Sequence, residues 1–522
     1  MAKTYLTFLV LGLLFIAGYN YFKDPYTYPT KLEQLKEKYR EPRQPKADHS
    51  KFAILQKDFK TPQEVTKACL TCHEKAADEI MKSEHWQWQR PVYLKDKGIA
   101  YIGKRNIINN FCISTIGNTK SCGKCHIGYE MGSKSFSYNK KEDIDCLVCH
   151  DQSLTYVKGA NLGGDPAPNV NLKKVAQSVG RPTRDDCGVC HFFGGGGNNV
   201  KHGDLEKSMF HPAPDVDIHM TDAGPNLVCV DCHKTEHHNI SGKLYTIAAQ
   251  NIGRTSCENC HTKTPHKQSI LNEHTLKVSC QACHIPVYAK VNSVNTTWDW
   301  STAGKLDKNG EPYMVEDSLG NHIYKSIKGT FQYGRNLKPE YLWFNGTANH
   351  YLTGEKVPEG DTVVVLNPYN GSYQDRFSQI IPIRYHYTNQ PFDPVNRMLI
   401  PPYLYADKKG EGAYWKDFNW LEAAKKGMEH AGLPFSGKVG FIHTVSIWRI
   451  NHMVSSKDKA VKCVECHTPE GSRLANLTDF YMPGRDHNYW IDTLGKLLII
   501  LTILGVLGHG AARYFLTRKK KA

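Results

Sequence analysis

Two long apolar stretches lie at the two ends of the chain. The first runs from Tyr5 to Phe22, is preceded by Lys3, and is typical of a signal sequence or an uncleaved anchor, of which we favour the anchor. The second runs from Leu494 to Phe515 and is long enough to span a bilayer. It is followed by Thr-Arg-Lys-Lys-Lys. Because basic clusters stay in the cytoplasm, the pattern predicts a chain anchored in the inner membrane with its main part in the periplasm.

Between these ends the hydrophobic pattern is irregular and predicts few long elements. Residues Ala413 to Ala431 show a helical pattern that ends at Gly432, and a second helix is predicted from His443 to Ser456. The stretch from Ile285 to Lys462 is rich in Tyr, Gly, Pro and Asn. We expect it to form loops and short elements that wrap around the rest of the chain.

A Cys-x-x-Cys-His motif occurs eight times and uses sixteen of the seventeen cysteines. Two thiols at this spacing can add to the two vinyl groups of one haem, and the adjacent histidine then lies under the iron. A disulfide framework needs no histidine, and a zinc protein does not repeat one spacing so strictly. The sequence therefore predicts eight covalently bound c-type haems. In chain order, the motif residues are Cys69, Cys72 and His73; Cys122, Cys125 and His126; Cys146, Cys149 and His150; Cys187, Cys190 and His191; Cys229, Cys232 and His233; Cys257, Cys260 and His261; Cys280, Cys283 and His284; and Cys463, Cys466 and His467.

The composition agrees with a core made of haem. The apolar fraction of 40% is below the roughly 45–50% of ordinary soluble domains, and packed macrocycles make up the difference. The net charge of +15 is explained by pairing of Lys and Arg with about sixteen haem propionates, so no nucleic-acid partner is expected. The predicted fold class is mainly α and irregular, a multihaem cytochrome c fold with a packed haem core, low strand content and a terminal transmembrane helix or helices.

Motif spacing divides the chain into five segments. Seven motifs lie close together, and the eighth is near the C-terminal apolar stretch, which makes it the expected port for electrons from the membrane. The segments are 1–22 (anchor), 23–290 (motifs one to seven), 291–440 (motif-free), 441–490 (eighth motif and linker) and 491–522 (transmembrane helix and basic tail).

The histidines outside the motifs are candidates for second axial ligands. There are 25 histidines in all, of which eight belong to motifs. On the predicted helix, His443 and His452 are nine residues apart and face opposite sides, so they would serve two different haems. The sequence does not assign histidines to irons. The nine candidates are His85, His202, His219, His237, His238, His266, His274, His443 and His452.

Two further features lie outside the motifs. Cys112 belongs to none of them, and a lone cysteine in an oxidising compartment is buried and inert, paired between chains, or kept for chemistry. Four glycines, Gly194 to Gly197, precede Lys201. Such a run allows close approach of the backbone to a flat ligand, or forms a plain flexible loop beside a solvated lysine.

These features carry a resemblance to a known family. The segments Asn109 to Cys112, Ile144 to Asp151, Arg181 to Arg184 and Gly194 to Asp204 are similar to those of octahaem tetrathionate reductases. The resemblance covers roughly residues 80–300 and extends more loosely to the eighth motif. It implies that seven haems have two histidine ligands and conduct electrons, and that the second haem is the active site.

Transferred to this chain, the resemblance implies a specific site. His126 would be the proximal ligand of the second haem and Lys201 its distal ligand, with Cys112 and Asn109 lining the pocket. The family usually has an acidic residue where this chain has Asn198. A buried neutral amine beside iron is a more labile ligand than a second imidazole and leaves a position that a substrate can take.

Three functions are weighed on this basis. The first is a multi-electron reductase of a small sulfur or nitrogen oxyanion (tetrathionate, nitrite or hydroxylamine class), fed from the quinone pool by a quinol-oxidising membrane cytochrome or other redox partner. The alternative is a non-catalytic electron conduit between a quinol dehydrogenase and periplasmic or outer-membrane acceptors. The third is a hydroxylamine-oxidising relative working in reverse, a family that depends on a tyrosine crosslink to its catalytic haem.

Overall fold

The structure, a computed structural model, describes residues 47–244 and 253–519 together with isolated positions nearer the N-terminus. The predicted N-terminal anchor over residues 5–22 lies almost wholly outside the described residues. The helices are short except for the last one. They are α1 Pro62–Leu70, α2 Ala76–Ile80, α3 Glu84–Gln87, α4 Thr119–Cys122, α5 Leu147–His150, α6 Leu172–Gln177, α7 Arg184–His191, α8 Cys229–Cys232, α9 Ser269–His274, α10 Cys280–His284, α11 Tyr414–Asp417, α12 Trp420–His430, α13 Cys463–Cys466 and α14 Tyr489–Lys519.

Every Cys-x-x-Cys-His motif lies on or beside a helical turn. Six motifs have cysteines on α1, α5, α7, α8, α10 or α13, the second spans α4 and a 3₁₀ turn at Gly123–Cys125, and the sixth begins on a 3₁₀ turn at Cys257–Asn259. Residues three apart on such a turn project to the same side. Each turn therefore presents its two thiols together.

The motif-free region forms a large sheet. Its strands, with those of two small hairpins, are β1 Arg90–Leu94, β2 Gly98–Ile102, β3 Thr235–Glu236, β4 Asn239–Ile240, β5 Val294–Asp299, β6 Met314–Glu316, β7 His322–Lys325, β8 Gly329–Gly334, β9 Glu340–Phe344, β10 Val363–Val365, β11 Gln379–Asp393, β12 Met398–Leu399 and β13 Gly440–Arg449. Nine of these form one sheet in the order β10-β13-β11-β5-β8-β7-β6, with β9 and β12 also paired to β11.

Strand β11 is the centre of this sheet. It is 15 residues long and almost wholly buried. It runs antiparallel to β13 over ten residue pairs, from Ile383 opposite Arg449 to Phe392 opposite Gly440, and parallel to β5. A strand that is buried on both faces packs against other segments above and below the sheet. In this way β11 supports the segments that converge on the second motif.

The expectation of low strand content is corrected by this sheet. Strand accounts for 18% of the described residues and helix for 28%. The helix predicted from His443 to Ser456 is wrong, because β13 occupies residues Gly440–Arg449. The β-branched residues Thr444, Val445 and Ile447 favour an extended backbone, and pairing with β11 decides the outcome.

The helix predicted from Ala413 to Ala431 is confirmed with one break. Phe418 has a left-handed backbone (φ 51°) and ends α11. Asn419 then starts α12 by accepting hydrogen bonds from the backbone N–H groups of Leu421 and Glu422. Gly432, with φ of 66°, follows the end of α12.

The last helix, α14, contains the predicted transmembrane segment. It has 31 residues, and its apolar side chains from Leu497 to Phe515 are exposed. Among the described residues it is the one helix long and apolar enough to cross a membrane, on the basis of length and composition.

Candidate functional site

Histidines from the motifs face histidines from elsewhere in the chain. In six such pairs the ring centres are 6.0–6.4 Å apart. Two imidazoles that bind one metal ion from opposite sides, through nitrogens about 2 Å from it, place their ring centres roughly 6 Å apart. The spacing therefore fits one iron between each pair. The pairs are His73 with His49, His191 with His85, His233 with His452, His261 with His219, His284 with His266, and His467 with His274.

Backbone carbonyl groups orient the rings of three motif histidines. Nδ1 of His150 donates to the carbonyl of Gly180 at 2.7 Å, and Nδ1 of His467 donates to that of Pro483 at 2.7 Å. Nδ1 of His233 donates to the carbonyl of Ser241 at 2.9 Å. A ring held through Nδ1 has its Nε2 available for a metal.

The third motif has a different arrangement. His150 has no ring partner among the described ring contacts. Its pKa is lowered mainly by burial, and the charge of His238 lowers it further. Nδ1 of His238 is 2.9 Å from a carboxylate oxygen of Glu79. The neighbouring His237 contacts the other oxygen of Glu79 and has a side chain that is 75% exposed. His238 is therefore the better placed of the two beside the third motif.

Three predicted candidates lie elsewhere in the structure. His443 is an exposed residue of β13, and His237 is exposed as described above. His202 packs edge-on against Trp448 at 5.6 Å. None of the three faces a motif histidine among the described ring contacts. His49, which our prediction omitted, does face one, and its position twenty residues before Cys69 gave no pattern that distinguishes it.

His126 of the second motif differs from the other motif histidines. Its ring lies 5.2 Å from Trp86 and 5.0 Å from Trp88, and no histidine ring faces it among the described ring contacts. Its Nε2 is 2.6 Å from the carbonyl of Trp86, while Nδ1 is buried without a hydrogen-bond partner. Burial lowers the pKa of His126 to about 3. The second motif therefore lacks the paired-histidine arrangement.

The charge of Lys201 lies within electrostatic range of Cys125 in the second motif and of His191 in the fourth. Its Nζ lies 4.5 Å above the ring of Trp448 on β13, and the thiol of Cys125 acts on its charge. Its backbone carbonyl accepts a hydrogen bond of 2.7 Å from Arg384, a buried residue of β11. Burial, followed by the charge of Lys104, lowers the pKa of Lys201 to about 7. Near neutral pH a large share of this side chain is therefore the neutral amine, the form that can bind a metal.

Cys112 lies at the same place. Its thiol donates to the carbonyl of Gly195 at 3.3 Å, and its charge raises the pKa of the Cys122 thiol. Gly196 has φ of 94°, and a Cβ there would lie 2.8 Å from the Cys112 sulfur. The glycine run thus permits the close approach of Cys112 to this loop.

Asn109 and Asn198 both have structural contacts. Oδ1 of Asn109 accepts a 2.8 Å hydrogen bond from the N–H of Phe111, which shapes the turn that leads into Cys112. Oδ1 of Asn198 accepts a 2.8 Å hydrogen bond from the N–H of Lys207. Each amide therefore orders a loop of the pocket.

Positive charge accumulates around this pocket. Burial raises the pKa of the Cys122 thiol to about 12, against the opposing charges of Lys104 and Lys328. Nζ of Lys328 lies 5.4 Å above the ring of Trp415 and would be 3.3 Å from a Cβ at Gly196. None of the described ion pairs includes Lys104, Lys201 or Lys328. The pocket therefore favours an anion.

Contacts between cysteines show the order of the motifs in space. Cysteines of neighbouring motifs lie close enough to shift one another's pKa. The first motif meets the third, and a line then runs from the third through the fourth, fifth, sixth and seventh to the eighth, with the second attached to the fourth. The contacts are Cys69 with Cys146, Cys149 with Cys187, Cys187 with Cys229, Cys232 with Cys260, Cys257 with Cys280, Cys283 with Cys466, and Cys125 with Cys190.

A cavity of about 300 Å³ lies beside two of these motifs. It is lined by Cys257 and Cys280 and by three arginines, Arg254, Arg376 and Arg449. Guanidinium groups are suited to pair with carboxylates such as haem propionates. Within the described residues no group of three or more His, Cys, Asp or Glu side chains is placed to hold a single metal ion. The facing histidines and the thiol pairs on the motif turns are the donors that a covalently bound haem needs.

Comparisons with known proteins agree with this interpretation of the donors. The family model for bacterial cytochrome c matches residues 295–470, and the model for cytochrome c554 and c-prime matches residues 68–151. The crystal structure of octahaem cytochrome c from Shewanella oneidensis is 40% identical and has a TM-score of 0.78, covering 84% of this chain and 98% of that one. An uncharacterized protein of Archaeoglobus fulgidus is 27% identical over 245 residues, 37% of this chain and 79% of its own length.

Proposed function

Because the chain belongs to the multihaem c-type cytochromes, we propose that it is a multi-electron reductase of a small sulfur or nitrogen oxyanion of the tetrathionate, nitrite or hydroxylamine class. Covalent c-type haem and a redox role follow from the family. The observation that carries the substrate class is the convergence of Lys201 and Cys112 on the second motif, where His126 has no facing histidine among the described ring contacts.

Eight haems are held in this proposal by the eight motifs. The two histidines of each facing pair would hold one haem iron between them, and His150 with His238 would hold that of the third motif. The second haem is held by His126 and Lys201. For this ligation the His126 ring turns its Nε2 away from the carbonyl of Trp86, which it contacts at 2.6 Å. The haem, when bound, supplies an iron that accepts and releases one electron at a time.

Lys201 acts as an exchangeable ligand in this proposal. Burial favours its neutral form, and an amine yields its position to a substrate more readily than an imidazole does. Trp448 limits the positions that the amine can take, because it covers one side of Nζ at 4.5 Å. Arg384 keeps the backbone of Lys201 in place when the side chain moves.

The charges of Lys104 and Lys328 favour an anion beside the second motif, either a substrate or a haem propionate. Both act on the second motif, and among the described ion pairs neither is bound to a carboxylate. With Asn198 in place of an acidic residue, repulsion of an anion is reduced further. Cys112 lies against the same loop and is available to contact a bound sulfur or nitrogen compound.

Electrons enter at the eighth motif in this proposal. That motif lies on α13 and is separated from α14 by residues 468–488. The length and apolar character of α14 support insertion into the inner membrane, with the basic tail in the cytoplasm and the haem region in the periplasm. A quinol-oxidising membrane protein is then the expected partner.

The test is electron paramagnetic resonance of the oxidised full-length protein with and without tetrathionate, nitrite, hydroxylamine and cyanide. We expect one signal, and only one, to respond to these compounds. Substitution Lys201→Ala should change that signal and abolish turnover with dithionite as the electron source, while the other haem signals remain. Lys207→Ala is the matched control, because its side chain is exposed and its backbone contact with Asn198 is retained.

Eight signals typical of two-histidine ligation, all insensitive to the four compounds, would contradict a reductase. That result would favour the electron conduit between a quinol dehydrogenase and other acceptors. A mass excess on the peptide of one haem, from a tyrosine crosslink, would instead favour the hydroxylamine-oxidising class.

A further inference from the structure

Asp204 contacts the histidine that faces the fifth motif. One of its carboxylate oxygens accepts hydrogen bonds from the backbone N–H groups of Asn451 and His452 at 2.7 and 2.8 Å. The same oxygen lies 3.1 Å from Nδ1 of His452. Asp204 is only 1% exposed. A buried carboxylate is thus hydrogen-bonded to the ring that faces His233.

Glu79 has the equivalent position at the third motif. Its carboxylate oxygen lies 2.9 Å from Nδ1 of His238, the histidine beside His150. Its other oxygen contacts His237 at 2.9 Å. The third and fifth motifs therefore share one feature, a carboxylate at Nδ1 of the histidine proposed above as the second ligand of their haem.

Two of the other facing rings have neutral hydrogen-bond partners at Nδ1. Nδ1 of His274 donates to the carbonyl of Ile270 at 2.6 Å, and Nδ1 of His266 lies 3.2 Å from the amide oxygen of Asn272. The carboxylate of Asp217 is 3.9 Å from Nδ1 of His219, which is too long for a hydrogen bond. Within the described hydrogen bonds, contact of a facing ring with a carboxylate is confined to His238 and His452.

The third and fifth motifs, where these two carboxylates lie, are neighbours of the fourth motif on its two sides. Cys187 of the fourth motif lies close enough to Cys149 of the third and to Cys229 of the fifth for both to raise its pKa. The fourth motif is also the one that meets the second, through Cys190 and Cys125. The carboxylates therefore stand at the two neighbours of the haem that adjoins the proposed active site.

We propose that Asp204 and Glu79 are positioning residues that lower the reduction potentials of the fifth and third haems below that of the fourth. A carboxylate that accepts the outer N–H of a ligating imidazole makes the ring a stronger donor. A stronger, more anionic donor stabilises ferric over ferrous iron, which is a known means of setting haem potential. This inference rests on the axial ligands proposed above, and it is independent of the substrate.

The order of potentials has a consequence for electron delivery. One electron passes from the ferrous haem of the fifth or third motif to the ferric haem of the fourth, so that the donor is oxidised and the acceptor reduced with no proton transferred. Electron transfer to the fourth haem is therefore energetically favourable from the third haem and from the fifth. Electrons supplied by a low-potential donor such as dithionite or a quinol therefore collect next to the second motif.

The experiment is a potentiometric titration of the full-length holoprotein followed by electron paramagnetic resonance, which separates the ferric haems by their g values. Glu79→Gln and Asp204→Asn keep an oxygen for each ring N–H but remove the charge. We expect each substitution to move one component, a different one in each variant, to higher potential and to shift its largest g value. Asp222→Asn is the control, since Asp222 is exposed, pairs with Arg184 at 3.4 Å and is not part of any described histidine contact.

Unchanged potentials and g values in both variants would overturn the inference. If Asp204→Asn fails to fold, Glu79→Gln decides alone, since Glu79 lies nearer the surface. The signal that depends on Lys201 is recorded in the same samples. Its loss in Lys201→Ala with no shift in Glu79→Gln or Asp204→Asn would leave the proposed reductase intact and refute only the tuning by carboxylates.

Discussion

Gly196 shows how a single residue controls access to the second motif. Its φ is positive, and a Cβ at this position would lie only 2.8 Å from the Cys112 sulfur, so there is room for hydrogen and for nothing larger. The same Cβ would lie 3.3 Å from Nζ of Lys328. The place where Cys112 and a lysine meet the loop therefore depends on the absence of a side chain.

Substitution Gly196→Ala is expected to lower the free energy of unfolding by about 1–3 kcal/mol through backbone strain and steric overlap. It should also displace Cys112 and change the spectrum of the substrate-sensitive haem. Gly310→Ala is a matched control, since Gly310 has φ of 80° but no atom near its Cβ position. In the control, backbone strain alone should lower the free energy of unfolding, as measured by chemical denaturation, and the haem spectrum should not change. Equal spectra for both variants would argue against contact between Cys112 and this loop.

Lys201 predicts a pH dependence at the same site. Burial and the charge of Lys104 lower its pKa to about 7, so the neutral amine predominates above that pH and the ammonium below it. Because iron competes with the proton for the amine, the observed midpoint lies at or below about pH 7. We expect the ligand to be lost as the pH falls through this range, seen as a change from low-spin to high-spin iron in the oxidised protein. The transition should be missing in Lys201→Ala, and its persistence there would contradict ligation by Lys201.

At the scale of elements, the pair β11 and β13 holds the pocket together. Arg384 on β11 donates to the carbonyl groups of Val200 and Lys201. Opposite Arg384 in the antiparallel register, Trp448 on β13 lies under Nζ of Lys201. One residue pair across two strands thus holds both the backbone and the side chain of Lys201.

Substitution Arg384→Met is expected to lower the free energy of unfolding by about 2–4 kcal/mol, because three buried carbonyl groups lose their donor. The spectrum of the haem that depends on Lys201 should broaden or split as the loop loses its anchor. The exposed Arg335 makes one long contact, 3.5 Å to the carbonyl of Lys290, so Arg335→Met serves as the control. Thermal unfolding and electron paramagnetic resonance measure the two effects. A stable variant with an unchanged spectrum would contradict the role of Arg384.

At the scale of the whole molecule, the motifs form a line with one branch. The line ends at the eighth motif, which precedes α14, and the branch leads from the fourth motif to the second. The proposed entry of electrons and the proposed chemistry are therefore at different ends of the molecule. Such a separation lets the membrane partner and the substrate bind without competing.

Removal of residues 489–522 tests this separation. With residues 1–22 also replaced by a cleavable signal peptide, we expect the shortened protein to appear in the soluble fraction with unchanged haem spectra and unchanged turnover with dithionite, and to lose reduction by quinol in membranes. Replacement of α14 by an unrelated apolar helix of the same length is the control and should restore retention in the membrane. Release of the full-length protein by salt without detergent would contradict anchoring by α14.

The sequence by itself predicted the haem attachment sites, and it located the C-terminal apolar helix. Both are local: three motif residues suffice for attachment, and the hydropathy of Leu494 to Phe515 suffices for an apolar helix. Cys112 and Lys201 were singled out by their resemblance to a family. Their charges lie within electrostatic range of the second-motif cysteines, and their role at that motif stays a prediction. The contacts of Asn109 and Asn198 with backbone N–H groups were not evident from their positions in the chain.

Only the tertiary structure decided how distant residues meet. The strand β13, the facing of His49 and His73, and the carboxylate contacts of Asp204 and Glu79 all depend on pairing across long intervals of sequence. Local propensity could not select a strand for His443 to Ser456, because pairing with β11 is what stabilises it there. A histidine likewise becomes the partner of a particular iron through the path of the backbone, and that path is set by the packing of the whole chain.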